Sequence, residues 1–506
     1  MKFKKTFLTL GLALSAFACS DINTEAYDFI SSDQYPENEV QAIRVANPAL
    51  ARVQGLADWG GWWFLQEITT DEAAAPTRGG DWDDGGKWRV LHQHSWGNGT
   101  EAVEQLWRLI FEEKGLPAAN LAIDQLTPGA EGSPEVATVL AQVKVLRAYW
   151  FYLGIDNFGD IPFPRSYINN PDRTPSRTPK AEVFATIVQD IQESIEFLPD
   201  PVPGSKASSI NKATAYALLA KLYLNAQVYT GTAMWSEANQ ACDNVLQYGY
   251  VLESDPSLPF KANNTASKEL IWTVPYDKDN FTGFNLHMRT LNYLNQLTFG
   301  MDVQPWNGFA MVEDHFNTFA ANDLRQYALL KGQQYTLDGN PILDADANGA
   351  PLVLTPHIPA LFMDAASYTK EQIRMSGVRV VKWEIPQGIK ENLSTDYPIF
   401  RLADIILMKA EVMVRLNGAG SGDSYVNQIK ARAGIPQLGG YTLDDILAER
   451  GREMTWEGHR RQDLIRFGKF QNTWWEKTNT DPNRKLFPIP QFAINANPNL
   501  TQNPGY

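Results

Sequence analysis

The chain has 506 residues, of which 44% are apolar and 20% charged, and it contains 15 Trp, 19 Tyr and 24 Phe. This composition can bury a large core and excludes an intrinsically disordered protein. The formal net charge of −14 argues against a nucleic-acid partner, because affinity for phosphate backbones is built from Lys and Arg side chains.

Residues 1–18 have the pattern of a secretory signal peptide. Lys2, Lys4 and Lys5 form a charged start, and the apolar run that follows extends to Ala18. Such a segment is removed on export and takes no part in the fold. No later run approaches the roughly 18 apolar residues that a membrane-spanning helix needs.

The next residue is Cys19, and the chain has one other cysteine, Cys242, which we expect to be a small buried residue on a helix face. Small residues before a cysteine, as in Ala16-Phe17-Ala18-Cys19, are typical of a bacterial lipobox. We therefore predict a lipid anchor on Cys19 in preference to a plain secreted protein, because two or more acyl chains anchor stably. The polar residues 19–40 lack helical periodicity and are predicted to be a lipidated tether.

Beyond the tether, apolar residues recur every three or four positions, which predicts amphipathic helices. The clearest periods cover residues 136–153 and 183–198. The second period follows Thr178-Pro179, which we interpret as the helix N-cap and first helical residue, and it stops at Pro199.

Residues 211–245 carry the spacing of a tetratricopeptide helix pair. The positions that match it are Tyr216, Leu219, Ala220 and Tyr223 in the first helix and Ala238, Cys242 and Val245 in the second. Similar periods at 402–416 and 443–454 predict further pairs, the last with Thr442 and Asp445 as capping residues. The helical part is therefore predicted to be an α-solenoid.

Between about 250 and 400 the sequence becomes rich in Pro, Gly and Asn, with short β-type runs at 270–274 and 378–383. Long loops on a rigid scaffold are where binding usually occurs. The predicted fold class is mainly α: tetratricopeptide-like helix pairs with a loop-rich cap, formed by residues 250–400 and the loops at 70–100, that carries short β segments.

Several motifs resemble the SusD/RagB family. In the C-terminal third these are RLADIIL at 401–407, KAE at 409–411, ILAERGRE at 446–453, EGHR at 457–460 and DLIRFG at 463–468. The ending also fits, with FPIP at 487–490, NP at 497–498 and QNPGY at 502–506, as do RAY at 147–149, Tyr152 and NFGDIP at 157–162. The matches keep their order over nearly the whole mature chain.

The resemblance implies a single SusD-like domain at 41–506, with four tetratricopeptide-like repeats under the cap. It also implies a lipoprotein on the outer membrane of a glycan-foraging bacterium, exposed at the cell surface. Members of the family bind oligosaccharide or polysaccharide, catalyse nothing, and cover a SusC-like TonB-dependent transporter that takes up the glycan. No cofactor is expected.

The family holds its ligand with an arc of aromatic side chains, beside Asp, Asn and Arg. Flat indole faces suit the C–H face of a pyranose, and polar groups bond its hydroxyls. In this sequence we place the site at Trp82, Trp96 and Trp306 with the polar partners Asp71, Arg78, Asp81 and Asn98; Tyr276 and Tyr293 are further candidates. Core packing is the alternative for any tryptophan, and we assign it to Trp59, Trp62, Trp63 and Trp107.

Two other functions fit parts of the sequence. A glycoside hydrolase needs two carboxylates, and Asp83-Asp84, Asp71-Glu72 and Glu449, Glu453 and Glu457 are available; the last three lie among arginines and are typical of a structural ion-pair network. A tetratricopeptide scaffold that binds peptides or proteins is the preferred alternative and ranks ahead of the hydrolase, although the tryptophan cluster disfavours it. Acidic residues around Trp82 favour a neutral glycan, such as a glucan.

Residues 344–349 match the opening half of a calcium-binding loop. The twelfth position of that loop is Thr355, where a bidentate Glu is needed. We interpret the segment as a turn, with structural calcium as the alternative, and predict no metal site.

Overall fold

The computed structural model describes residues 35–59, 61–113, 115–168 and 174–506. The signal peptide, Cys19 and most of the predicted tether lie outside these ranges. The first described helix begins at Glu39, close to the predicted domain start at position 41. No helix in the described ranges is long and apolar enough to cross a membrane.

Helices form the bulk of the structure. They are α1 Glu39–Leu50, α2 Trp62–Glu67, α3 Lys87–His92, α4 Glu101–Trp107, α5 Leu116–Ala130, α6 Pro134–Phe158, α7 Lys180–Ser194, α8 Lys212–Leu224, α9 Ala226–Thr230, α10 Trp235–Leu246, α11 Leu286–Thr290, α12 Asn295–Phe299, α13 Glu313–Phe316, α14 Lys370–Met375, α15 Leu402–Asn417, α16 Asp423–Arg432, α17 Leu443–Glu453, α18 Arg460–Arg466 and α19 Gln491–Ala496.

The long helices pack as successive pairs, which confirms the predicted mainly α, tetratricopeptide-like scaffold. Helix α5 packs on α6, α6 on α7, and α8 on α10; α15 joins α10 to α16 and α17. The predicted pair at 211–245 is therefore α8 with α10. A single apolar cluster runs through most of these helices and includes Cys242, which is buried as predicted.

Helix ends follow from capping chemistry. The predicted capping box of α17 is present, because the side chains and backbone N–H groups of Thr442 and Asp445 bond reciprocally. The predicted start of α7 is wrong by one residue. Pro179 is the N-cap there, and the carboxylate of Asp160 accepts the Lys180 N–H at 2.9 Å, so the Thr178 hydroxyl is not needed.

The cap contains only short strands. They are β1 Ala73–Ala74, β2 Thr77–Arg78, β3 Leu270–Val274, β4 Ala310–Met311, β5 Leu329–Leu330, β6 Gly332–Gln333, β7 Leu343–Asp344, β8 Ala350–Pro351, β9 Val353–Leu354, β10 Phe362–Met363, β11 Arg379–Val380 and β12 Tyr397–Arg401. The predicted β run at 270–274 is β3, which pairs antiparallel with β12. Of the run at 378–383 only β11 is a strand, because its partner β5 has two residues.

Strand pairing joins the early loops to the rest of the cap. Strand β1 pairs antiparallel with β4, and β2 pairs in parallel with β10. The backbone just before Trp82 is therefore attached to segments more than two hundred residues later. This attachment places Trp82 beside the loop that carries Trp306.

Most of the tryptophans assigned to the core are buried. Trp62, Trp63 and Trp107 are closed off from solvent, as predicted. The assignment of Trp59 is wrong, since its side chain is 38% exposed. It covers the guanidinium of Arg289, whose Cζ lies 4.5 Å from the ring centroid, and this cation–π contact holds an aromatic ring at the surface.

Candidate functional site

Two of the three tryptophans predicted to stack on sugar lie together. The indole N–H of Trp82 donates to the backbone carbonyl of Trp306, with 2.7 Å between the heavy atoms. Both side chains are half-buried and pack at the edge of the main apolar cluster. A fixed, partly exposed aromatic pair is a platform for the apolar face of a ligand.

The conformation of Trp82 depends on a glycine. Trp82 has a left-handed backbone with φ 59°, a conformation that is strained for a bulky residue. Its indole lies against Gly308, where a Cβ atom would overlap the ring, and Phe309 packs 5.1 Å from the indole centroid. Sequence reasoning missed Gly308, although the Asn307-Gly308 dipeptide is a turn signal.

Polar groups adjoin this pair. The Tyr293 hydroxyl donates to the carboxylate of Asp81, and burial raises the pKa of Tyr293 to about 12, so the phenol keeps its proton at neutral pH. The Arg374 guanidinium lies 4.8 Å from the Tyr293 ring centroid. We call Asp81, Trp82, Tyr293 and Trp306 the Trp82 surface.

Two of the polar residues predicted to contact the glycan, Arg78 and Asp71, bind other groups of the protein instead. Arg78 is 3% exposed and donates to the carbonyls of Gly308 at 3.3 Å, Ile373 at 2.9 Å and Ser376 at 3.0 Å. It supports the loop beneath Trp82 from inside. Asp71 holds Arg460 with two bonds of 2.7 and 2.8 Å; burial opposes this charge, but the guanidinium lowers the pKa of Asp71.

The structure places the other two predicted residues against the C-terminal segment. Trp96 is 1% exposed, and its indole N–H donates to the Tyr506 hydroxyl at 2.6 Å. The side-chain amide of Asn98 donates to Gln491 at 2.8 Å. Trp96 is thus enclosed by the core and does not reach a ligand, which corrects its assignment to the arc. Tyr276 is also buried.

The acidic pairs considered for hydrolysis are paired with cations or hydrogen-bond donors. Asp83 bonds Arg89 at 2.6 Å, and Asp84 accepts the Trp88 indole N–H at 2.7 Å. Glu449, Glu453 and Glu457 are buried and ion-paired with Arg325, Arg401, Arg432, Arg452 or Lys382. They form a structural network, as predicted, although most of these cations come from outside their own helix.

Two carboxylates, Glu67 and Glu72, are buried without full compensation. Burial raises the pKa of Glu72 to about 8 and raises that of Glu67 as well. Glu72 Oε1 lies 3.4 Å from Arg460 Nε and 3.7 Å from His315 Nε2, and its Oε2 has no hydrogen-bond partner in the described part of the chain. A carboxyl group that is protonated at neutral pH in the folded protein releases its proton on unfolding.

This linkage predicts a pH effect. The folded pKa of Glu72 exceeds its ordinary value, so the folded protein holds this proton more tightly than the unfolded chain does. The resulting contribution to the free energy of unfolding is fully present below the ordinary pKa and is lost as pH rises through about 8. Relative to Glu72→Gln, the wild-type free energy of unfolding should fall by up to about 1.4 kcal/mol between pH 7 and 8. Urea unfolding at both pH values measures it, with the exposed Glu391→Gln as control. Parallel pH profiles for wild type and Glu72→Gln would contradict this assignment.

The calcium-like segment is a turn. The Asp344 carboxylate accepts the Asp346 N–H at 3.1 Å and pairs with Arg374 at 2.6 Å; Asp346 also faces Arg374, at 3.3 Å. Asn348 follows in a left-handed conformation. Across residues 35–59, 61–113, 115–168 and 174–506, no group of three or more His, Cys, Asp or Glu side chains is placed to hold a metal ion.

Comparison with known families gives two matches. Residues 364–506 match the model of the SusD family, and residues 68–224 match a family described as "Starch-binding associating with outer membrane". Starch-binding protein SusD of Bacteroides thetaiotaomicron is 27% identical, over 87% of this chain and 84% of that protein. SusD-like protein P2 of Formosa agariphila is 25% identical over the full length of both.

Solved structures have the same fold. A laminarin-binding SusD-like protein superimposes with a TM-score of 0.74 at 20% identity, covering 93% of this chain and 100% of that one. Surface glycan-binding protein A from Bacteroides thetaiotaomicron, in complex with laminarihexaose, gives 0.72 at 21% identity over 91% and 99%. The helix pairs, the cap and both family matches lead to one conclusion. The chain belongs to the SusD/RagB family.

Proposed function

We propose that this protein binds a neutral oligosaccharide or polysaccharide at the Trp82 surface and does not cleave it. The observation that carries the proposal is the fixed pair of half-buried indoles, Trp82 and Trp306, beside the Asp81 carboxylate and the Tyr293 hydroxyl. The aromatic rings supply an apolar platform, and the polar groups supply donors and acceptors for sugar hydroxyls.

The charge of the surroundings favours a neutral ligand. Asp81 and Asp84 are exposed near the indoles, and Arg78 is buried under the loop. Arg374 is already paired with Asp344 and Asp346. A uronate or sulfated chain would therefore meet negative charge with no uncommitted guanidinium among these residues, and a glucan would not.

Relatives support both the ligand class and the absence of turnover. Matched proteins bear the descriptions starch-binding and laminarin-binding. The candidate acids in this chain are held by cations or hydrogen-bond donors, except Glu72, which is 1% exposed and closed off from a substrate. A general acid and base with access to substrate would need two uncommitted carboxylates on either side of a sugar. We infer capture of glycan without hydrolysis.

Capture would serve uptake at the cell surface. We propose that Cys19 carries the lipid anchor at the outer membrane and that the protein delivers glycan to a SusC-like TonB-dependent transporter. The support is the lipobox pattern and the description of the family matched by residues 68–224. A Cys19→Ala variant should no longer fractionate with the outer membrane; unchanged fractionation would contradict the anchor.

Replacing Trp306 tests the binding surface. Trp306→Ala should weaken binding of a neutral hexasaccharide about thirtyfold, which corresponds to about 2 kcal/mol for the loss of an aromatic anchor. The melting temperature should change little, because the side chain is half-exposed in a cap loop. Calorimetric titration beside thermal melts measures both. An early melt with unchanged affinity in the folded fraction would mean that Trp306 is a packing residue.

A further inference from the structure

A second open surface lies on the helical scaffold, away from the cap. It is a groove of about 760 Å³ formed by α7, α8 and α10, and its lining residues lie between positions 192 and 248. Leu219 and Ala241 are buried at its base. The groove is therefore built by the tetratricopeptide-like pair itself and shares no residue with the Trp82 surface.

Two tyrosines in this groove present nearly parallel rings. The centroids of Tyr216 and Tyr248 are 6.5 Å apart, with 29° between the ring planes. Both side chains are half-buried, and neither hydroxyl has a hydrogen-bond partner among the residues that the structure describes. Tyr223, deeper in the groove, differs because its hydroxyl accepts from Gln192 at 3.0 Å.

The remaining polar lining groups are amides, one paired lysine and two exposed glutamates. Gln240 donates to Asn244 at 3.2 Å along the exposed face of α10. Lys212, the one lysine in the lining, is paired with Asp200 at 2.8 Å, while Glu196 and Glu237 are exposed. An anionic ligand would find no uncommitted cation here, and neither would the C-terminal carboxylate of a peptide.

Parallel aromatic rings, unpartnered hydroxyls and amide side chains form a surface suited to an uncharged, hydroxyl-rich ligand. We propose that the groove of Tyr216, Tyr223, Gln240, Asn244 and Tyr248 is a second, independent binding site for neutral oligosaccharide. One chain then holds a glycan at two places, the scaffold groove and the Trp82 surface, and long polysaccharides gain avidity from both. This second site rests on the proposed function only for the class of ligand, a neutral oligosaccharide.

The test is stoichiometry, with maltohexaose and laminarihexaose as probes in titration calorimetry. Wild type should bind two equivalents of one of these probes, and Tyr216→Ala/Tyr248→Ala should bind one. Single Tyr216→Ala should weaken the groove site about tenfold, and Tyr216→Phe, which keeps the ring, only about threefold. Tyr425→Ala, a half-buried tyrosine of α16, is the matched control and should bind like wild type.

Failure of this site is distinguishable from failure of the Trp82 surface. One equivalent in wild type, lost in Trp306→Ala and unchanged in the tyrosine double variant, overturns the groove and leaves the proposed function in place. One equivalent lost only in the tyrosine variant supports the groove and overturns the Trp82 surface. No saturable heat with either probe overturns both. Thermal melts confirm that every variant is folded.

Discussion

Replacing Arg401 by methionine is expected to lower the free energy of unfolding by about 3–5 kcal/mol, the cost of leaving buried charges without their partner. The guanidinium is 1% exposed and is ion-paired with Glu269 at 2.8 Å, Glu453 at 2.7 Å and Glu457 at 2.6 Å. These three carboxylates come from the residue before β3, from α17 and from the segment after α17. Arg401 therefore joins the cap to the scaffold.

The matched control is an exposed ion pair. Lys469 lies 2.9 Å from Asp444, and their side chains are 38% and 70% exposed, so Lys469→Met should change the free energy of unfolding by less than about 1 kcal/mol. Guanidinium chloride unfolding of both variants measures the difference. Equal, small effects would show that the buried network contributes no more than a surface pair.

Trp96→Ala should be the second severe change, with a loss of about 3–5 kcal/mol of stability. Its indole is enclosed by His94 and Phe487 and bonded to the Tyr506 hydroxyl. Removing it opens a cavity and leaves that hydroxyl without its donor. Once folded, the variant should bind glycan normally, because Trp96 does not face the Trp82 surface.

The comparison with Trp306→Ala separates the two roles within one pair of experiments. Trp96→Ala should melt early and keep its affinity, whereas Trp306→Ala should melt near wild type and lose affinity. Trp96→Phe retains much of the apolar volume and should cost less than Trp96→Ala. A Trp96→Ala variant that is stable but fails to bind would return Trp96 to the arc of ligand contacts.

Local patterns were sufficient to predict the scaffold. The periods at 136–153 and 402–416 became α6 and α15, and Thr442 with Asp445 correctly marked the start of α17. These features depend on neighbours three or four residues away, so they can be recognised from the local sequence without knowledge of the fold. The start of α7 was wrong because its cap comes from Asp160, twenty residues earlier.

The candidate site depends on contacts that no local pattern contains. Trp82 and Trp306 meet across 224 residues, and they were grouped in the sequence because the family resemblance implies an aromatic arc. Trp96 also has glycines nearby, yet its partner is Tyr506, 410 residues away. A tryptophan that stacks on a ligand and one that packs in the core therefore look alike until the fold supplies their partners.

The most direct test of glycan binding is titration calorimetry of the wild-type protein with neutral and anionic hexasaccharides. We expect saturable binding of a starch- or laminarin-derived hexasaccharide, weak or no binding of a hexa-uronate, and no release of reducing ends during incubation. Binding confined to the anionic sugar would contradict the charge argument for the Trp82 surface. Absence of binding to every neutral glycan tested, or steady release of reducing ends, would contradict the proposal that this protein captures neutral glycan without cleaving it.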